Sequence, residues 1–269
     1  MKPLLLMVLA AYMVAAIHTI LSFVNKRRAL ERVALMALAV GFALHTTVLV
    51  MDWARDGHYP LYGFRESLSF LAWTLVATYG LVLYNWRASA LGSLTLPLVV
   101  LIIFCATPMH GNSPMNIGFG ATWLLPVHTT LLLFSYAAFF VVFAASLMFL
   151  VQERELKLKT FSAFFHRLPS LSTINDIATY AVAIGFTLLT LGITTGMLWS
   201  TARDGKIWHN DPKEVFAALT WLLYLALILY RASAGWRGRR AAWLGVLGFA
   251  LVLCTFLGPR LIGSYHVFE

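Results

Sequence analysis

The sequence predicts an all-α polytopic membrane protein, and three observations carry that reading. Sixty per cent of the 269 residues are hydrophobic, only 12% are charged, and the mean hydropathy is +0.79, far from the balance of a water-soluble chain of this length. Those apolar residues also fall into eight separate runs. A run of roughly 20 apolar residues, rising 1.5 Å each, crosses a hydrocarbon core of about 30 Å.

The runs lie near 4–24, 33–51, 66–84, 93–107, 127–151, 176–199, 213–230 and 241–258. Lys2 precedes the first, which is long, lacks a small-residue cleavage site and ends in a basic cluster, so it reads as a retained helix rather than a signal peptide. Glu66 opens the third, where a carboxylate suits the helix dipole. The fourth is short, with Pro97 near its start and Pro108 at its end. A polar connection from Gln152 to Asn175 precedes the sixth. Its Phe161, Phe164, Phe165 and Leu168 have helix-like spacing and suit the membrane surface, and Pro169 with the following Ser/Thr run suits a helix cap. Asp211-Pro212-Lys213-Glu214 opens the seventh, and a dense arginine cluster introduces the eighth.

Lys and Arg set the orientation. One set of alternate connections holds Lys26, Arg27, Arg28 and Arg32; Arg87; Arg154, Lys157, Lys159 and Arg167; and Arg231, Arg237, Arg239 and Arg240. The opposite set holds only Lys2, Arg55, Arg65, Arg203, Lys206, Lys213 and Arg260. Both termini are therefore expected on the outer side. The net charge of +9 is mostly this bias, so it gives no reason to invoke nucleic acid. Cys105 and Cys254 sit in apolar runs without a CxxC or CxxCH pattern, which argues against thiol redox chemistry and covalent haem attachment to this chain. No linker or internal repeat divides the sequence, so one membrane domain over 1–269 is expected.

Polar chemistry gathers in the outer connections. His128, at the outer end of the fifth run, and His266, beyond the eighth, are expected at similar depth although remote in sequence. Imidazole is a common axial ligand of haem iron, and an interfacial histidine also serves as a plain hydrogen-bonding group. His45 has the same two readings inside the second helix. His18 reads as structural; His58, His110, His166 and His209 read as solvated loop residues. Asp211, Pro212 and Glu214 satisfy a capping box. Capping does not explain Trp208 three residues before the Asp, nor Lys213 on the cation-poor side, where an ammonium suits a haem propionate. A membrane-belt role accounts for Trp208 equally well. Glu66 likewise reads either as a cap or as a wall of a porphyrin pocket.

Taken in order, these stretches resemble the CcsA/CcmC type of cytochrome c assembly proteins. Pro60 to Ser67 matches a Pro-x-x-x-x-x-Glu-Ser element, and His128 is followed by Ser135-Tyr136-Ala137. Gly185 to Gly196 matches a glycine-bearing helix, Asp211 to Glu214 precedes Thr220-Trp221-Leu222-Leu223-Tyr224, and His266 stands beside Ser264-Tyr265. The chain departs from the pattern in two places. Asp204 and Asn210 stand where the family has further tryptophans, and Leu229-Tyr230-Arg231 replaces a membrane-embedded His. The Gly235-Trp236-Arg237-Gly238-Arg239-Arg240 loop is similar to the shorter YpjD and HemX-like branch.

The resemblance implies a haem b binder of the bacterial inner membrane that presents haem at the outer face for c-type cytochrome biogenesis, beside a CcsB-like partner and apocytochrome c. It implies axial roles for His128 and His266, with Trp208 and Asp211 as platform residues. Lys213, Glu66 and His45 complete the candidate site. The alternative is a HemX-like, non-catalytic factor acting on haem-biosynthetic or respiratory proteins. A small-solute transporter is disfavoured without repeats. A di-haem cytochrome is disfavoured because no helix carries suitably spaced histidines.

Overall fold

The computed structural model describes residues 2–25, 27–57, 59, 61, 63–109, 123–159, 165–209, 211–233 and 238–262. Within them it contains α1 (Lys2–Asn25), α2 (Arg28–Asp56), α3 (Phe64–Trp86), α4 (Gly92–Ala106), α5 (Leu124–Leu158), α6 (Leu171–Asp204), α7 (Pro212–Ala232) and α8 (Arg239–Ile262). All eight are long and apolar enough to cross a membrane, the fourth when counted with the turn before it as Ser89–Ala106, as the hydropathy runs predict. Two short 3₁₀ turns, Ser89–Leu91 and Phe165–Arg167, complete the described elements.

Charged residues shorten the hydropathy runs but not the helices. α5 continues seven residues past the expected limit of 151, so the polar stretch from Gln152 is helical rather than part of a loop. Gln, Glu, Arg, Leu and Lys are strong helix formers. Lys157 also binds Glu153 one turn back at 2.7 Å. Lys159, in the left-handed conformation at φ 54°, ends it. Of the segment expected to lie along the membrane surface, the described residues include the Phe165–Arg167 turn, and Phe161 and Phe164 lie outside them. Ser170 caps α6 by accepting the Thr173 N–H, as the Ser/Thr run predicts. Gly57 (φ 68°) and Gly205 (φ 69°) take the left-handed conformation that closes α2 and α6.

Two compact units divide the chain: 1–114 with 161–169, and 115–160 with 170–269. In unit 1, α1 packs along α2 and α4, and α4 also packs on α3. Its core holds a polar centre. His45 is fully buried, with Nδ1 3.2 Å from the Tyr12 hydroxyl and Nε2 2.9 Å from the Ser69 hydroxyl. Asp52 at the end of α2 forms an ion pair with Arg65 of α3 at 3.8 Å.

In unit 2, α5 is the hub, packed on α6 and α8 while α7 joins α6 and α8. Seventy-eight per cent of its apolar window is buried, against 17% for α7, so α5 carries the core of the unit. α6 meets it through glycines. A Cβ on Gly185 would lie 2.7 Å from the Phe139 ring, one on Gly192 2.6 Å from Leu132, and one on Gly196 2.5 Å from His128. Numbers rise along α6 as they fall along α5, the register of two antiparallel helices in close contact. Ser135 seals the contact by donating to the Gly185 carbonyl at 2.8 Å.

Candidate functional site

A half-open cleft lies within unit 2, where the start of α5, the end of α6 and the start of α7 converge. Its empty volume is about 740 Å³, with the mouth and the open solvent before it included. Apolar surface dominates the walls, and His128, Trp208, Lys213 and Glu214 are among the polar or aromatic side chains that line them. Three residues singled out from sequence are thus brought to one cavity.

His128 projects from the second turn of α5 toward α6. Its Nδ1 lies 2.6 Å from the Gly192 carbonyl oxygen. A carbonyl only accepts, so Nδ1 carries the proton, and whenever the ring is neutral its lone pair falls on Nε2. A backbone carbonyl fixing one ring nitrogen in this way is the usual support of a histidine that ligates through the other. Gly196 makes the approach possible, because any side chain there would occupy the space of the ring.

The Trp208 segment is tied down at both ends. Ser200, in the last turns of α6, donates to the Lys206 carbonyl at 2.7 Å. Glu214 accepts from the backbone N–H groups of His209 at 2.8 Å and Asp211 at 3.3 Å, and lies 3.3 Å from His209 Nδ1. Asp211, only 4% exposed, accepts the Lys213 N–H at 2.8 Å. The capping box expected from sequence is therefore formed, and Asp211 serves the helix start rather than lining the cleft. Lys213 and Trp208 do line it, and Trp208 is 42% exposed.

His209 corrects an expectation. Its side chain is 13% exposed and faces Glu214, so it is not a solvated loop residue; the reach of Glu214 back over the cap encloses it. Trp199, Ser200, Gly196 and Thr255 also line the cleft. Sequence reading missed them as site residues, although Gly196 stood within the glycine pattern. His45 and Glu66 belong to unit 1. Glu66 is buried and accepts the Gly63 N–H at 3.3 Å as the cap of α3, and His45 is held between two hydroxyls. His266 lies outside the described residues, as do Pro60, Tyr62, His58, His110 and Trp236.

Residues 61–266 match the family described as cytochrome C assembly protein. The chain belongs to this family. Its relatives include the cytochrome c biogenesis protein CcsA of Synechococcus sp. (strain CC9605), 30% identical over 85% of this chain and 83% of that protein. The CcsA of Chlamydomonas reinhardtii is 32% identical over 87% of this chain and 68% of its own length. Among solved structures, the cytochrome c heme lyase CcmF superposes with a TM-score of 0.68 over 97% of this chain and 48% of that one. At 17% identity that likeness concerns the fold, and this chain spans about half of the lyase's length. Family, helical architecture and membrane class agree: this is a multi-pass membrane protein of the cytochrome c assembly family.

Proposed function

We propose that this protein holds haem b non-covalently in the unit 2 cleft and presents it for c-type cytochrome biogenesis at the outer face of a bacterial cytoplasmic membrane. One observation carries the reading above the others: the Gly192 carbonyl sets His128 in the tautomer that would ligate through Nε2, inside a cleft of mainly apolar surface that Lys213 and Glu214 also line. The residues fit the group. Haem requires apolar walls, an imidazole nitrogen and a positive partner for its propionates, and Leu132, Ile193 and Met197, His128, and Lys213 offer these in turn.

His128 and His266 are the proposed axial ligands. Trp208 forms a wall for the porphyrin face, and Lys213 pairs with a propionate. Asp211 acts on the platform indirectly, by fixing the helix start that carries Lys213. Glu66 has a matching part in unit 1, shaping the approach to α3 through its cap. When bound, haem would supply an iron for imidazole nitrogens to hold and vinyl groups able to react with thiols. The chain's own residues hold and orient it, and the apolar walls limit water. The name of the CcsA relatives and the family description support a place in cytochrome c biogenesis. The proposed partners are a CcsB-like membrane protein and apocytochrome c.

The test is spectroscopic. Purified protein is expected to carry a Soret band, identified as haem b by its pyridine complex, that a His128→Ala, His266→Ala double variant shifts or loses. Protein that contains no haem and takes up none when it is added would overturn the reading in favour of a HemX-like assembly factor acting through protein contacts.

A further inference from the structure

A second cavity lies wholly within unit 1, at the end of the bundle where α1 and α3 finish and α2 and α4 begin. Its empty volume is about 800 Å³, and unlike the unit 2 cleft its walls are largely polar. Glu31 of α2 and Arg167 of the short 3₁₀ turn both line it, together with the Thr19 and Ser22 side chains. Phe23 and Leu35 form its apolar part, and Leu35 is 46% exposed on the outside of the helices.

The floor is a built structure. The buried Tyr79 hydroxyl donates to the Ser89 carbonyl at 3.3 Å, and Gly92 gives that hydroxyl room, since a Cβ there would collide with it. Around this floor stand two opposite charges that do not neutralise one another: among the described residues, no ion pair or hydrogen bond joins Glu31 to Arg167. A carboxylate repels a purely anionic ligand, and a guanidinium repels a purely cationic one. A ligand with an ammonium and a phosphate meets both, while its chains can follow the apolar residues that lead out at Leu35. The arginines at the same end, Arg27, Arg28, Arg32 and Arg87, place this cavity at the head-group level of the bilayer.

We infer that the unit 1 cavity is a binding site for an ammonium-phosphate head group, with Glu31 receiving the ammonium and Arg167 the phosphate, and that its ligand is an aminophospholipid. Nothing in this inference draws on the haem reading of unit 2. The experiment uses full-length protein in nanodiscs that offer phosphatidylethanolamine and phosphatidylglycerol of identical chains, with retained lipid measured by native mass spectrometry after release into detergent. The unmodified protein is expected to keep the ethanolamine lipid in preference. E31Q should cut that preference by about 2–5-fold, the scale of one part-exposed charge pair, and R167Q should weaken retention of both lipids by a similar factor. Equal retention of the two lipids by unmodified protein, or an unchanged preference in E31Q, would overturn the site.

Free phosphoethanolamine separates the two sources of the same chemistry. Competition by millimolar phosphoethanolamine as effective as that by the lipid would assign the cavity to a soluble ligand and overturn the lipid claim. A photoreactive phosphatidylethanolamine keeps the proposal testable without any variant. It should label peptides containing Phe23 or Leu35, and labelling confined to other peptides would overturn it.

Discussion

Replacing Gly196 by alanine adds one methyl where α6 passes the His128 ring. The new Cβ would lie 2.5 Å from His128 Cε1 and 2.6 Å from Nδ1, whereas ordinary contact begins near 3.4 Å. The ring must therefore retreat by about 1 Å, and the 2.6 Å bond from Nδ1 to the Gly192 carbonyl does not survive such a shift. Overpacking costs about 1–3 kcal/mol and the lost hydrogen bond about 1 kcal/mol, against a helix-propensity gain of about 1 kcal/mol for alanine over glycine. A net loss of about 1–3 kcal/mol remains, with the damage concentrated at one imidazole. Gly185→Ala is the control: its Cβ would meet the Phe139 ring at 2.7 Å, an overpacking on the same helix contact by residues that do not line the cleft. Thermal unfolding in detergent and the Soret spectrum read the two consequences separately. Gly196→Ala should melt lower and lose or shift the haem band, while Gly185→Ala should melt lower and keep the band. A wild-type spectrum in Gly196→Ala would refute the claim that this contact positions a haem ligand.

Other outcomes follow from the same geometry. His128→Ala alone should weaken haem retention, and added imidazole should restore part of the absorbance by filling the space of the lost ring. Asp211→Ala should cost about 0.5–2 kcal/mol in a melting experiment through loss of the α7 cap, and Asp211→Asn, which still accepts the Lys213 N–H, should recover most of it. Lys213→Gln should leave the melting temperature nearly unchanged yet lower haem affinity, with Lys213→Arg in between; equal affinities in all three would remove the propionate role. Ser69→Ala deprives the buried His45 Nε2 of its partner and should destabilise the protein by about 1–3 kcal/mol while leaving the haem spectrum alone. A changed spectrum in that variant would bring His45 into the haem site.

The eight spans, the cap at Ser170 and the capping box at Asp211 were legible in the sequence because each depends on residues within a turn or two of one another. Hydropathy reports the cost of leaving backbone and side chains in lipid, a cost that a single segment meets alone. It misjudged the end of α5, because charged helix formers leave the apolar run without leaving the helix. Family resemblance, resting on ordered motifs, reached the assembly family and gave His128, His266, Trp208 and Asp211 as candidates, while the charge bias singled out Lys213.

Only the folded chain decided what these residues meet. The partner of His128 lies 64 residues away on another helix, and no local pattern states which ring nitrogen a distant carbonyl will claim. Gly196 gained its meaning the same way, from the ring that fills its missing side chain. His45 and Glu66 were placed in unit 1, each with close hydrogen-bonding partners, whereas His128 and Lys213 share the unit 2 cleft. The cavity bounded by Glu31 and Arg167 was invisible in the sequence, since its walls come from three helices and two short turns that packing alone draws together. Periodicity and capping are short-range properties written along the chain; tautomer, enclosure and charge pairing arise between segments and exist only after packing has chosen their neighbours.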